Sequence, residues 1–175
     1  MILRYAKVRD VKDPVRGHPT DAGIDFFVPN YSQEFVDDLK KINGKINKQT
    51  EITNMGRIIL DMGDGVLIPS GIITEINFGT MGLFLNKSGI ASKKDILIGS
   101  QVVDTYYSGE VHINLHNVGR ETVEINPGDK VVQYAIIPIM TPIPKEFSKE
   151  ELYKEMKAEE YRDEGGFGST DKASQ

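Results

Sequence analysis

Apolar and polar residues alternate along 111–116: Val111, Ile113 and Leu115 interleave with His112, Asn114 and His116. That two-residue period belongs to a strand with one buried face. Residues 131–139 (VVQYAIIPI) are β-branched and apolar apart from Gln133, and they predict a core strand. Asp64-Gly65 stands between Ile58-Ile59-Leu60 and Val66-Leu67-Ile68 and predicts a hairpin. Pro127-Gly128-Asp129 predicts a further turn. Many short strands at close spacing imply an all-β barrel or jelly roll.

Two segments follow a helical period instead. Over 32–43, Phe35, Val36, Leu39 and Ile42 gather near one face, and Ser32 is placed to cap the first turn. Over 148–161, Ser148-Lys149-Glu150-Glu151 fits a capping box ahead of Leu152 and Met156. A glycine-rich tail follows. The expected organisation is a barrel domain over 1–144, interrupted at 31–57, and a C-terminal arm over 145–175.

Composition narrows the function. The chain has 175 residues, 39% apolar and 27% charged, an ordinary globular mixture for one domain. It contains no Cys, so it has neither a disulfide frame nor a thiolate site, as suits a reducing, cytoplasmic setting. Arg4 and Lys7 interrupt any apolar leader, and no apolar run is long enough for a membrane span. The net charge of −5 argues against nucleic acid as a partner. An anionic small substrate remains, provided that positive charge is concentrated locally.

Five short segments carry the candidate chemistry: Asp21-Ala22-Gly23-Ile24-Asp25-Phe26, Asn86-Lys87-Ser88-Gly89-Ile90-Ala91, Val103-Asp104-Thr105-Tyr106-Tyr107-Ser108-Gly109-Glu110, Gly128-Asp129-Lys130-Val131-Val132-Gln133, and Arg162-Asp163-Glu164-Gly165-Gly166-Phe167-Gly168-Ser169-Thr170. Glycines in the last let backbone amides approach an anion. Arg162 adds a planar fork, Ser169 and Thr170 add hydroxyls, and Phe167 offers a face to a base. No Gly-Lys-Ser/Thr follows, so this is no Walker loop. Lys87-Ser88-Gly89 suits a phosphate and equally a plain surface turn. Asp104 is placed to orient or deprotonate water, or simply to form a turn. On a strand, His112 and His116 lie about 13 Å apart, too far to share one metal ion.

In this order the five segments are similar to the five motifs of the homotrimeric dUTPases. The resemblance runs over about 1–30 and 58–171, and the GGFGST tail and Asp-x-x-Tyr-x-Gly-Glu are its most specific parts. It implies a jelly-roll-like barrel with short helical additions and a C-terminal arm. It implies hydrolysis of dUTP to dUMP and pyrophosphate with Mg²⁺, which limits uracil in DNA and supplies dUMP. It also implies a homotrimer with active sites shared among subunits. Carried over residue by residue, Asp104 would activate water for attack on the α-phosphorus, and Asp25 would order water around the magnesium ion. Lys87, Ser88, Gly89 and Gln133 would hold phosphate oxygens. Tyr107 would pack against deoxyribose. Backbone groups from Ile98 through Gln101 to Val103 would read uracil. Phe167 would cover the base, and Arg162, Gly168, Ser169 and Thr170 would close over the phosphates.

The chain departs from the family at four positions. Lys87 and Lys130 stand where Arg is common, Val132 where Ala is common, and Gln101 where Gly is frequent. The segment 31–57 exceeds the usual connection; it reads as surface decoration or as a wall near the site. Two other readings stay open. A dCTP deaminase, or a bifunctional deaminase-dUTPase, would need a glutamate where Asn114 stands, and neutral Asn cannot carry the proton. A dUTPase-like regulatory binding protein would not need the base, tyrosine, arginine and phenylalanine that this chain has.

Overall fold

The computed structural model describes residues 2–46 and 50–154. These form two units, Met1–Met140 and Thr141–Gln175. In the first, the described strands are β1 (Tyr5–Lys7), β2 (Ile24–Phe27), β3 (Glu51–Ile52), β4 (Ile58–Leu60), β5 (Gly65–Pro69), β6 (Ile72–Thr74), β7 (Thr80–Asn86), β8 (Ile96–Ile98), β9 (Val102–Val103), β10 (His112–Asn117), β11 (Val123–Ile125) and β12 (Lys130–Pro138). Two helices join them, α1 (Gln33–Lys45) and α2 (Ser88–Lys94). The expected all-β class holds.

The strands pair antiparallel in four small sheets, ordered β1-β6, β5-β10-β8, β11-β4-β3 and β2-β12-β7-β9. Their inward faces share one core. Phe26, Phe84 and Tyr134 meet there with ring centroids 4.9–5.5 Å apart. Each such side chain contributes about 1.5–3 kcal/mol by leaving water. Gly82 makes room for the Tyr134 ring, since a Cβ there would collide with its hydroxyl. That hydroxyl lies 3.1 Å from Thr74 Oγ1, so the buried phenol keeps a partner.

The alternation at 111–116 plays out as expected: Ile113 and Leu115 are buried, and His112, Asn114 and His116 face the other way. The predicted hairpin at Asp64-Gly65 does not form. β4 pairs with β11 and β3, and β5 pairs with β10, so the turn passes the chain between sheets. Asp64 caps that turn by accepting from the Asp61 amide. At Asn126–Asp129 the turn is real: Gly128 takes φ +81°, and the Asp129 amide donates to the Asn126 carbonyl.

Helix α1 starts where expected, with Ser32 Oγ accepting from the Phe35 amide at 3.1 Å. Phe35, Val36 and Leu39 are 0% exposed, so the segment over 31–57 is not the surface decoration that its extra length suggested. Its apolar face fills part of the barrel core. In the second unit, α3 (Lys149–Tyr153) opens on the expected capping box, with Ser148 Oγ accepting from the Glu151 amide and Glu151 Oε2 from the Ser148 amide. The expected continuation to 161 lies outside the described residues.

Candidate functional site

Asp25 sits in β2, opposite Gln133 of β12. Its carboxylate is 3% exposed as a residue and lies between two ammonium groups: Lys87 Nζ at 3.1 Å and Lys130 Nζ at 2.8 Å. A slip in register brings Lys130 there. Gln133, Val132 and Lys130 face Asp25, Phe26 and Phe27, so Val131 is an extra residue, a β-bulge. In a regular ladder Val131 would oppose Phe27 and Lys130 would oppose Val28, on the core face. Burial alone would raise the Asp25 pKa, but hydrogen bonds and charge from Lys130 and Lys87 outweigh it and hold the carboxyl below its ordinary value. Gly23 completes this corner by close approach, since a Cβ there would come within 2.7 Å of Gln133 Cβ.

Lys87 is also the residue from which α2 springs. Ser88 and Gly89 are exposed at its first turn, where backbone amides have no acceptor within the helix. Asn86, just before, turns its Oδ1 to the Ile98 amide at 2.9 Å and so ties the second segment to β8.

The third segment makes a separate cleft of about 220 Å³. Asp104, Tyr107 and Val103 line it with Phe84 and Val111, and so do Ser100, Val102, Leu67 and His112. Asp25, Lys87, Ser88 and Gln133 do not. Asp104 and Tyr107 are the ends of one tight turn, in which the Tyr107 amide donates to the Asp104 carbonyl at 3.2 Å. Tyr106 occupies its third position at φ +61°, a conformation costing about 1–2 kcal/mol for a residue with a side chain. Bonds to the preceding loop hold it there: the Tyr106 amide donates to the Ile76 carbonyl, and Thr105 Oγ1 to the Thr80 carbonyl at 2.6 Å. The Asp104 carboxylate is exposed, and among the described residues no hydrogen bond engages it. The Tyr107 hydroxyl donates to the Glu110 carbonyl, and Gly109 lies against the ring where a Cβ would not fit.

Backbone groups expected to read a base are partly committed within the fold. The Ile98 amide is held by Asn86, the Gly99 amide donates to the Asn114 carbonyl, and the Gln101 carbonyl accepts from the Phe84 amide. Gln101 is exposed, whereas Ile98 and Val103 are buried side chains. Asn114 donates from Nδ2 to Ser100 Oγ at 3.2 Å and occupies a strand position with no carboxylate. Arg162, Phe167, Gly168, Ser169 and Thr170 lie outside the described residues. Leu67 and His112 are cleft residues that the sequence does not assign to a site, His112 being weighed there only as a metal ligand. Leu67 is hidden in an apolar run, and only the strand period around His112 hinted that it faces away from the core.

The lysine-clamped carboxylate and the separate cleft with its open aspartate sit on a barrel that has known counterparts. The model of the dUTPase family matches residues 52–171. A deoxyuridine 5′-triphosphate nucleotidohydrolase of Acinetobacter baumannii is 33% identical over 120 residues, spanning 66% of this chain and 74% of its own. One from Candida albicans is 38% identical over 106 residues, 61% of this chain and 64% of its own. The fold is similar to that of a dUTPase of Staphylococcus bacteriophage 80alpha solved with dUPNHPP. That match has a TM-score of 0.71 and 22% identity, covering 96% of this chain and 97% of that one. The chain belongs to the dUTPase family, whose reaction is the hydrolysis of dUTP.

Proposed function

We propose that this dUTP diphosphatase divides its work between the two parts of the site, the cleft taking the nucleoside and the lysine corner the triphosphate. The observation that carries the reading is the open Asp104 carboxylate at the rim of a cleft of nucleoside size. A carboxylate with no bond of its own can receive a proton from water as that water attacks the α-phosphorus. The bond from phosphorus to the bridging oxygen breaks, and pyrophosphate leaves with the electron pair. Tyr107 packs against deoxyribose and leaves no space for a 2′-hydroxyl. A cytosine in place of uracil would leave a buried backbone group unpaired, at about 1–3 kcal/mol per group.

Lys87, Ser88, Gly89 and Gln133 supply cation, hydroxyl, amide and amide donors to the phosphates. Asp25 neutralises one of its two lysines, so the corner keeps a net positive charge. Mg²⁺ brought in with the triphosphate would supply charge stabilisation for the leaving pyrophosphate. Both Asp25 oxygens face lysines, so this side chain fits a role through water and not direct ligation. Among the described residues no cluster of three or more His, Asp or Glu forms a metal cage, which a metal carried by its substrate does not require.

The two parts belong to one active site when three copies assemble, each giving its cleft to a neighbour's lysine corner and its tail to the third. A groove lined by Tyr5, Ile76 and Tyr106 supports this, because its exposed aromatic rim suits a subunit contact. Arg162, Gly168, Ser169 and Thr170 then grip the phosphates, and Phe167 covers the base. None of the described helices is long and apolar enough to cross a membrane, and we place the enzyme in the cytoplasm.

The test is pyrophosphate release with Mg²⁺ from dUTP, dCTP, dTTP and UTP at equal concentration, with products identified and mass measured by sedimentation. We expect release from dUTP alone, giving dUMP, by a species of three chains. Turnover by a monomer would overturn the shared site, and deaminated product from dCTP would overturn the reading of Asn114.

A further inference from the structure

We propose that α1, the helix of the extra segment, is a positioning element that sets the walls of the nucleoside cleft. The inference rests on the cleft assignment above. Two independent links reach from the helix to that cleft.

The first is Asn43. It is 2% exposed, on the helix face otherwise occupied by Phe35, Val36 and Leu39. Its Nδ2 donates to the Leu67 carbonyl at 2.9 Å, and its Oδ1 accepts from the Leu67 amide at 2.9 Å. The side-chain amide thus takes the place of a further strand at the open edge of β5. A core-filling residue would be apolar, since burying an amide costs free energy unless both its ends are bonded. Leu67 is a cleft residue.

The second link runs through Arg9. Its guanidinium bonds Asp38 of α1 at 2.7 Å and both oxygens of Glu110 at 2.8 and 3.1 Å. Glu110 also receives the Gly71 amide at 2.6 Å. The carbonyl of the same Glu110 accepts from the Tyr107 hydroxyl and lies 2.9 Å from His112 Nδ1. One residue therefore fixes two cleft walls from its backbone while its side chain is tied to the helix. Together the two links reach Leu67, Tyr107 and His112.

The experiment uses the full chain and compares Asp38→Asn, Asn43→Ala, Asp37→Asn and Tyr107→Ala. Asp38 is partly exposed, so its variant keeps the fold. Asp37 is the control, a neighbouring charge that, among the described residues, accepts only from Gln33 within the helix. Readouts are KM and kcat for dUTP, and inhibition by inorganic tripolyphosphate, which probes the phosphate contacts and not the nucleoside cleft. We expect Asp38→Asn and Asn43→Ala to raise KM by about threefold or more, with kcat within about twofold. Tripolyphosphate inhibition and the Asp37→Asn enzyme should be unchanged. If Tyr107→Ala raises KM while Asp38→Asn leaves it unchanged, the positioning role is overturned and the cleft assignment stands. If Tyr107→Ala leaves KM unchanged, the cleft assignment fails and takes this inference with it. Should Asn43→Ala not fold, Asp38→Asn decides alone.

Discussion

Asp25 is buried with each oxygen against a lysine, whereas Asp104 stands exposed with no hydrogen bond to its carboxylate among the described residues. The first has an ammonium group on each oxygen and its charged form favoured, so it is poorly placed to take a proton. The second has acceptor sites to spare and a backbone fixed by a strained turn. Identical side chains thus stand in opposite surroundings: one is closed in by positive charge, and the other is open to water.

The hardest blow to this contrast is Asp104→Asn. We expect turnover to fall by about 10²–10⁴-fold, with nucleotide binding nearly unchanged in an equilibrium titration. Near-normal turnover would mean that the open carboxylate is not the base. Deleting the chain from Arg162 onward should cost on the order of a hundredfold in kcat while leaving three chains together by sedimentation. A monomer would show that the tail holds the assembly. Replacing Lys87 with Ala removes one side of the Asp25 clamp and one phosphate contact, and should raise KM for dUTP about tenfold. The same change should leave the affinity for deoxyuridine alone unaltered; a loss there would join the two parts of the site more tightly than we draw them.

The smallest effect concerns acid. Because the Asp25 pKa is depressed in the folded protein, the unfolded chain binds the proton first as pH falls. Its stabilising share is complete above the ordinary value of 3.8 and is lost on descent through the folded value. Comparing melting temperatures of the parent and Asp25→Asn from pH 7 to pH 3 should therefore show a constant gap down to about pH 5 that narrows below about pH 4. A gap that does not narrow would mean that the clamp contributes nothing through its charge.

What was legible in the sequence is what short-range pattern can carry. The alternation around Ile113 and Leu115 gave a strand with the right side inward, and Ser32 with Phe35 and Leu39 gave a capped amphipathic helix. The turn chemistry at Asp64-Gly65 announced a reversal but could not name its partners: β4 pairs with β11, some sixty residues along the chain. Arg9 carried no signal, because its partners Asp38 and Glu110 are 29 and 101 residues away. The extra length over 31–57 suggested a surface feature, yet its helix contributes to the core. The five segments were recognisable because each needs its chemistry locally. That Lys87 and Lys130 converge on Asp25 depends on sheet register, and register is a property of two strands together.

The extra residue at Val131 makes the sign of this corner a matter of counting. Side chains on a strand alternate, so an odd number of residues from Gln133 to Lys130 on the paired ladder would send the ammonium inward and leave Asp25 with one cation. Straightening the bulge with every residue kept would set Val131 opposite Phe27 and Lys130 opposite Val28, and so exchange their sides. The corner therefore depends on where the bulge falls as much as on which cation stands at position 130.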